Sequence, residues 1–239
     1  MDTARISALL APFLETPLAE SQLKQISTYI DLLQRWNARI NLTAIRNPEE
    51  IVTRHFGESL FLAGHVFPSP GQILSTAPTR VVDIGSGAGF PALPLKIWAP
   101  SIDLTLIESN HKKAAFLSEV SRELTFTNIN ITAERAETIA ARSEGPSFDG
   151  PKFDGPRFDG PRFDAATFRA VEHFDKVLQL ATGFLVPGGR LAILVGASQL
   201  PRIQSLTALA WDQPIAIPQS RARVLLVGKT TKVVNKLDI

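Results

Sequence analysis

The sequence predicts an α/β protein in which a helical N-terminal extension precedes a mostly parallel β-sheet. From Arg80 onward, short apolar runs alternate with helical stretches, a pattern typical of βαβ units. Between residues 20 and 40, apolar side chains recur every three or four positions, which indicates an amphipathic helix. A chain of 239 residues has room for one large α/β domain and a modest extension. We therefore place the extension at residues 1–79 and the sheet domain at residues 80–239.

A second helix is predicted for residues 47–66. Asn47 can cap its N-terminus, Pro48 suits the first helical position, and Glu50 can close a capping box. Residues 67–79 are rich in Pro, Ser and Gly and are interpreted as a linker into the sheet domain.

In the sheet domain, the apolar runs predict six strands, and helices fill most of the intervals between them. The expected strands are residues 80–84, 103–107, 129–133, 165–169, 190–195 and 224–228.

Residues 145–164 are four tandem copies of Gly-Pro-x-Phe-Asp. A Gly-Pro pair every five residues forbids a helix and disrupts strand pairing, so we predict a surface loop whose last copy can lead into the strand at Ala165. One interpretation is an expanded repeat without function. The other is a flexible arm in which Lys152, Arg157 and Arg162 touch phosphates.

The composition excludes several classes of protein. No cysteine is present, so disulfides, cysteine-ligated zinc, iron–sulfur clusters and thiolate catalysis are excluded. No apolar run approaches the roughly 18 residues that span a bilayer, and the first residues lack a signal-peptide cleavage pattern, so we expect a cytoplasmic protein. His65, His111 and His173 show no metal-ligand spacing, and no metal site is expected. A formal charge of +2 permits a nucleic-acid partner without requiring one.

A glycine-rich turn follows the first predicted strand. The strand ends in Asp83 and leads into Gly85, Gly87 and Gly89 before a helix. Glycines in such a turn let the backbone approach a ligand closely, and the helix presents free N–H groups.

Two details distinguish this turn from a dinucleotide-binding motif. The dinucleotide fingerprint requires a glycine where this chain has Phe90. The second strand is followed by Glu108, which is placed to accept hydrogen bonds from the two hydroxyls of a ribose. This Rossmann-like pattern favours S-adenosylmethionine. A dinucleotide and a purely structural turn stay open as alternatives.

Six segments occur in an order typical of one family: RWNARINLTAI, RHFGESL, DIGSGAGFPALPL, LIESNHKKAAFL, ERAE and FRAV. From about Leu32 to Lys229, the chain resembles the bacterial 16S ribosomal RNA (guanine-N7)-methyltransferases, the glucose-inhibited division protein B family. The resemblance implies a class I S-adenosylmethionine-dependent methyltransferase fold with a mostly parallel seven-stranded sheet. It also implies methyl transfer to a guanine N7 in 16S ribosomal RNA or the small ribosomal subunit. We expect the protein to act as a monomer.

The resemblance also assigns residues to the site. With the turn described above, the implied cofactor-binding residues are Asp83, Gly85, Gly87, Gly89, Phe90, Glu108, Ser109, Asn110, Ala136, Glu137 and Arg169. The implied RNA or active-site residues are Arg54, His55, Arg135 and Arg223. In one departure, the family usually has Lys-Gly at the end of the fifth strand, whereas this chain has Val195-Gly196.

Methylation of guanine N7 agrees with the residues that the chain has and lacks. N7 carries an exposed lone pair, so no general base is required, and catalysis is largely a matter of alignment. Cytosine-C5 methylation through a cysteine adduct is excluded. The (Asp/Asn/Ser)-Pro-Pro-aromatic motif of adenine-N6 and glutamine-N5 methyltransferases is replaced by Arg-Ala-Val-Glu at residues 169–172. Two alternatives remain: an RNA-binding methyltransferase-like protein with impaired catalysis, and a nicotinamide-dependent oxidoreductase.

RNA binding is expected to come from scattered basic side chains that pair with phosphates. His55 is either a buried helix histidine or a substrate contact, and Trp36 is either a core side chain or a base-stacking one. The basic candidates are Arg35, Arg39, Arg46 and Arg54 in the extension, and Arg221, Arg223, Lys229 and Lys232 near the C-terminus.

Overall fold

A twisted, mostly parallel sheet forms the centre of the computed structural model, and helices cover both of its faces. The structure describes residues 1–67, 78–141, 162–171, 173–206 and 209–230.

The helices of the N-terminal extension precede the sheet. The Asn47 side chain accepts hydrogen bonds from the backbone N–H groups of Glu49 and Glu50, which confirms the predicted cap. The predicted helix over residues 47–66 is present but not uniform, because a π-helical turn at Val52–Gly57 interrupts it. The bounds are α1 Thr3–Leu10, α2 Glu20–Asn37, α3 Pro48–Ile51 and α4 Glu58–Val66, with a 3-10 turn at Ala11–Phe13.

The sheet contains eight strands in the order β3-β2-β1-β4-β5-β8-β6, and β7 pairs beside β6 on β8. Strands β1 to β5 are parallel to their neighbours in this set, and β8 runs antiparallel to β5. The bounds are β1 Arg80–Ile84, β2 Asp103–Ile107, β3 Ile129–Thr132, β4 Phe163–Phe168, β5 Leu185–Gly196, β6 Leu209–Trp211, β7 Ile215–Ala216 and β8 Arg223–Thr230.

All six predicted strands are present, and the class I sheet is confirmed. The expected count of seven strands differs from the observed eight because the edge beside β8 consists of two short strands. Pro214 lies between them and has no backbone N–H to donate to a ladder. Strands of two or three residues also carry no detectable periodicity.

Alternating side chains along the strands feed two cores. Val81 belongs to a buried cluster with side chains of the N-terminal extension, whereas its neighbour Val82 belongs to the cluster on the opposite face. This alternation follows from the period of two along a strand. The helices that follow β1 are α5 Ala92–Trp98, α6 His111–Glu123, α7 Ala136–Ala141, α8 Phe174–Gly183 and α9 Leu200–Leu206.

Two predicted irregular segments fall largely outside the described residues: positions 68–77 of the linker and positions 145–161 of the repeat. Strand β4 begins at Phe163, so the last copy of the repeat does lead into a strand, as predicted. Lys152 and Arg157 of the proposed arm lie outside the described residues. The guanidinium of Arg162 donates to the carbonyl oxygen of Gly183 at 2.6 Å. Among the described residues, no helix is long and apolar enough to cross a membrane.

Candidate cofactor and substrate site

The glycine-rich turn connects β1 to the region preceding α5 at the carboxyl edge of the sheet. Gly85, Gly87 and Gly89 all have a positive φ, at +69°, +56° and +85°. A Cβ atom at Gly85 would lie 2.9 Å from Val171 Cγ1, and one at Gly89 would collide with the Tyr29 hydroxyl. At Gly87 the nearest atom would be the Gly85 oxygen at 3.7 Å. Two glycines therefore serve tight packing, whereas a Cβ at Gly87 would make only an ordinary van der Waals contact.

Glu108 links the turns that follow β1 and β2. Its side chain is buried, with 6% exposure. One carboxylate oxygen accepts a hydrogen bond from the Gly87 N–H at 2.7 Å, and the other accepts from the Asn110 N–H at 2.8 Å. Asn110 in turn caps α6, while Ser109 is exposed beside it. The structure therefore brings Glu108 against the glycine turn, as a shared ligand pocket requires.

Asp83 lies beneath the turn and is almost fully buried, with 1% exposure. Its Oδ1 accepts a hydrogen bond from the Thr167 hydroxyl at 2.7 Å, whereas its Oδ2 has no hydrogen-bond partner. Burial raises the pKa of Asp83 to about 6, against hydrogen bonds that lower it. A buried carboxylate oxygen without a donor suits a ligand that brings a positive charge or an N–H group.

The residues after β3 lie at the same edge of the sheet, because β3 runs parallel to β2. Ala136 is buried at the start of α7, and the Glu137 carboxylate pairs with the Lys176 ammonium at 2.9 Å. The hydrogen bond from Lys176 is the largest cause that lowers the pKa of Glu137. Arg135 is exposed at the same place, separate from the arginines described next.

The buried carboxylate of Glu58 contacts three guanidinium groups, which together form the arginine cluster. Glu58 is 2% exposed and begins α4, directly after the π-helical turn. The carboxylate lies 3.2 Å from Arg54, 3.3 Å from Arg169 and 3.1 Å from Arg223. Sequence reasoning named the three arginines and missed the acid. The RHFGESL segment contained a signal, because Glu58 lies four residues after Arg54 on a predicted helix.

The arginine cluster places Arg169 beside Arg54 and Arg223, two of the arginines predicted to face RNA. The Arg169 side chain is only 9% exposed, and its Nη1 has no hydrogen-bond partner. Burial lowers the pKa of Arg169 to about 10, so the guanidinium stays charged at neutral pH.

An aromatic stack connects the arginine cluster to the glycine turn. The His55 ring lies 4.7 Å from the Phe90 ring, and Phe90 lies parallel to Tyr29 at 5.3 Å. The Tyr29 hydroxyl donates to the carbonyl oxygen of Ala88 within the turn at 2.5 Å. Phe90 is 7% exposed, so its side chain packs in the protein interior.

His55 is buried, with its Nε2 2.8 Å from the Thr43 hydroxyl. Burial, followed by the charges of Arg169, Arg54 and Arg223, lowers the pKa of His55 to about 3. The imidazole is therefore neutral at pH 7. This placement agrees with the interpretation of His55 as a buried helix histidine.

Other predicted residues take simpler positions. Trp36 is half-buried against Phe116 and donates to the Glu119 carboxylate at 3.0 Å, which agrees with a core role. Val195 is buried and pairs with Val224 across the sheet. Of the basic candidates, Arg35, Arg39, Arg46, Arg221 and Lys229 are exposed, and Lys232 lies outside the described residues. Among the described residues, no group of three or more His, Asp or Glu side chains could hold a metal ion.

Comparison with known proteins decides the family. The family model GidB, described as rRNA small subunit methyltransferase G, matches residues 22–215. The chain belongs to this family. The ribosomal RNA small subunit methyltransferase G of Chloroflexus aggregans is 35% identical over 220 residues, covering 88% of this chain and 83% of that protein. The protein of the same name from Streptococcus pyogenes serotype M4 is 34% identical, covering 90% and 77%. The resemblance seen in the sequence motifs is confirmed.

Solved structures support the fold. The ribosomal protein L11 methylase of Lactobacillus delbrueckii has a TM-score of 0.52 at 13% identity, covering 74% of this chain and 79% of its own. An S-adenosylmethionine-dependent O-methyltransferase of Thermotoga maritima has a TM-score of 0.51 at 14% identity, covering 85% and 71%. At these identities the likeness concerns the fold alone, and it is that of a class I methyltransferase.

Proposed function

We propose that this member of the methyltransferase G family transfers a methyl group from S-adenosylmethionine to N7 of a guanine in 16S ribosomal RNA. The observation that carries the proposal is the Glu108 carboxylate, which holds the Gly87 N–H at the edge where β1 and β2 end. Family membership supports both the cofactor and the small-subunit RNA substrate. It leaves the nicotinamide-dependent alternative without support.

The residues of the pocket fit S-adenosylmethionine. The turn is not tightly packed at Gly87, Glu108 offers carboxylate oxygens to ribose hydroxyls, and Asp83 has a buried oxygen in need of a donor. When bound, the cofactor supplies an electrophilic methyl group on a sulfonium. We assign its binding to Asp83, Gly85, Gly87, Gly89, Phe90, Glu108, Ser109, Asn110, Ala136, Glu137 and Arg169.

The chain's own task is orientation. Guanine N7 offers a free lone pair, so no residue has to remove a proton. The neutral, buried His55 is consistent with this, since it lacks a charge change near neutral pH and supports Phe90 instead. Correct alignment of reacting groups can contribute about 7–11 kcal/mol.

We assign the RNA side of the site to Arg54, Arg135 and Arg223, with His55 acting behind them. We further propose that residues 1–79 form an extension that helps residues 80–239 hold the RNA, and that the protein acts as a cytoplasmic monomer. Its partner would be the small ribosomal subunit or its 16S RNA.

Methyl transfer to small ribosomal subunits that lack the modification tests the function. With cofactor carrying a labelled methyl group, we expect label in 16S RNA and its recovery as N7-methylguanine. If RNA binds and no label transfers, the chain is an RNA-binding relative with impaired catalysis. Label recovered on another atom or another RNA would refute the assignment.

A matched pair of carboxylate variants tests the cofactor site. Glu108→Gln should weaken cofactor binding by roughly tenfold or more, because hydrogen bonds to charged groups contribute about 1.5–3 kcal/mol. Glu119→Gln is the control, since Glu119 lies on α6 and accepts a hydrogen bond from Trp36 of α2. Equal affinity in both variants, measured by calorimetry, would refute the assignment of Glu108.

A further inference from the structure

The arginine cluster carries more positive charge than its fold requires. One carboxylate, Glu58, could be balanced by one guanidinium, yet three reach it from the π-helical turn, the end of β4 and the start of β8. We propose that Arg54 and Arg223, held beside Arg169 by Glu58, bind one phosphate group of the RNA strand. This inference rests on the proposed RNA substrate and specifies how that substrate is held.

The balance of charge supports an anion as the occupant. Among the described residues, the other carboxylate that forms an ion pair with the cluster is Glu50, 3.8 Å from Arg54 and about half exposed. Three guanidinium charges against these two carboxylates still leave one positive charge in excess. Because Glu58 is buried and Glu50 is solvated, Glu50 neutralises less of the positive charge of the cluster than Glu58 does. A phosphodiester brings the single negative charge that would balance the cluster.

Hydrogen-bonding capacity supports the same conclusion. Arg169 is nine-tenths buried, and its Nη1 lacks a partner, which is costly for a charged donor. Arg54 and Arg223 are more accessible, with side chains 46% and 23% exposed. Guanidinium groups match phosphate oxygens in paired hydrogen bonds, so accessible arginines backed by a buried one suit a phosphate.

The position of the cluster relates it to methyl transfer. The charges of all three arginines act on His55. The His55 ring stacks on that of Phe90, the residue after the glycine turn. Arg169 follows β4, and Arg223 pairs with Gly196 at the end of β5, so both lie at the carboxyl edge of the sheet. A phosphate held there would fix the register of the strand next to the target guanine.

The test is the salt dependence of binding to 16S ribosomal RNA, measured for Arg54→Gln, Arg223→Gln and the double variant. Each phosphate neutralised on a single strand contributes about 0.7 to the slope of log affinity against log salt, and on a duplex about 0.9. If both arginines share one phosphate, the double variant loses the contribution of one phosphate. Two separate contacts would remove about twice that value, and either this result or an unchanged slope would overturn the proposal.

Arg80→Gln provides the control, because Arg80 lies at the opposite edge of the sheet and pairs with Asp164 at 3.6 Å. We expect its slope to match that of the unaltered protein. Circular dichroism and thermal melting establish that each variant is folded.

Two ligands show whether the arginines bind an RNA phosphate or the carboxylate of the cofactor. S-adenosylhomocysteine carries that carboxylate, and methylthioadenosine lacks it. We expect neither to bind more weakly to the double variant. A loss confined to S-adenosylhomocysteine would show that Arg54 and Arg223 bind the carboxylate of the cofactor instead. Methyl transfer by the unaltered protein is read separately, so failure of the proposed function is distinguishable from failure of this inference.

Discussion

Alanine at Gly89 should destabilise the protein far more than alanine at Gly87. Both residues have a positive φ, at +85° and +56°, so each substitution carries a backbone cost of about 1–2 kcal/mol. They differ in what the added methyl group meets. At Gly87 it would make an ordinary contact with the Gly85 oxygen at 3.7 Å, whereas at Gly89 it would collide with the Tyr29 hydroxyl and lie 2.6 Å from Leu93.

The difference between the two variants therefore isolates the steric cost. Overpacking of a tight interior typically costs about 1–3 kcal/mol. For a chain of this size, each kcal/mol lowers the melting temperature by about 2–4 °C, so Gly89→Ala should melt roughly 2–12 °C below Gly87→Ala.

Thermal melting without cofactor measures this difference. Tyr29→Phe provides a second comparison, because it removes the hydroxyl that collides with the new methyl group. Gly89→Ala should cost less in the Tyr29→Phe background than in the unaltered protein. Equal melting temperatures for Gly87→Ala and Gly89→Ala would refute the assigned packing between α2 and the turn.

Three further predictions concern buried ionisable groups. Because burial raises the pKa of Asp83 from 3.8 to about 6, the folded state takes up a proton first, and stability from this group falls as pH rises through 6. As pH rises through 6, the urea midpoint of Asp83→Asn should fall less steeply than that of the unaltered protein. Parallel curves of midpoint against pH for the two proteins would contradict this. His55, with its pKa lowered from 6.5 to about 3, costs stability as pH falls below 6.5, because the unfolded chain binds the proton first. Its ring resonance, assigned through His55→Gln, should not shift between about pH 5 and pH 8. The Lys96 ammonium donates to the carbonyl oxygens of Pro100 at 2.9 Å and Ile102 at 2.5 Å. Lys96→Met should lower the urea midpoint, at a cost of about 1–3 kcal/mol for each carbonyl left without a partner. A midpoint at or above that of the unaltered protein would count against this.

The cofactor half of the site could be predicted because it is local in sequence. Asp83 and the glycines occupy one turn, and Glu108 follows the next strand. Parallel strands bring their carboxyl ends to one edge, so a strand order is enough to bring Glu108 near Gly87. The positions of the glycine turn and of Glu108, each directly after a predicted strand, were therefore enough to predict this half of the site.

The arginine cluster could not be predicted in this way. Arg54, Arg169 and Arg223 lie more than fifty residues apart, and each alone is typical of a solvated surface residue. Glu58 was missed because a carboxylate on a helix is ordinarily exposed. Its burial depends on the packing of α4 against the sheet domain.

The sequence by itself determined the alternation of strands and helices, the glycine turn and the family, because these depend on periodicity, backbone freedom and motif order. Only the tertiary structure decided that Phe90 packs between Tyr29 and His55, that Asp83 has an unpartnered oxygen, and that three arginines meet at Glu58. Such properties arise when distant segments share one low-dielectric interior, where burial sets both the charge balance and the pKa values.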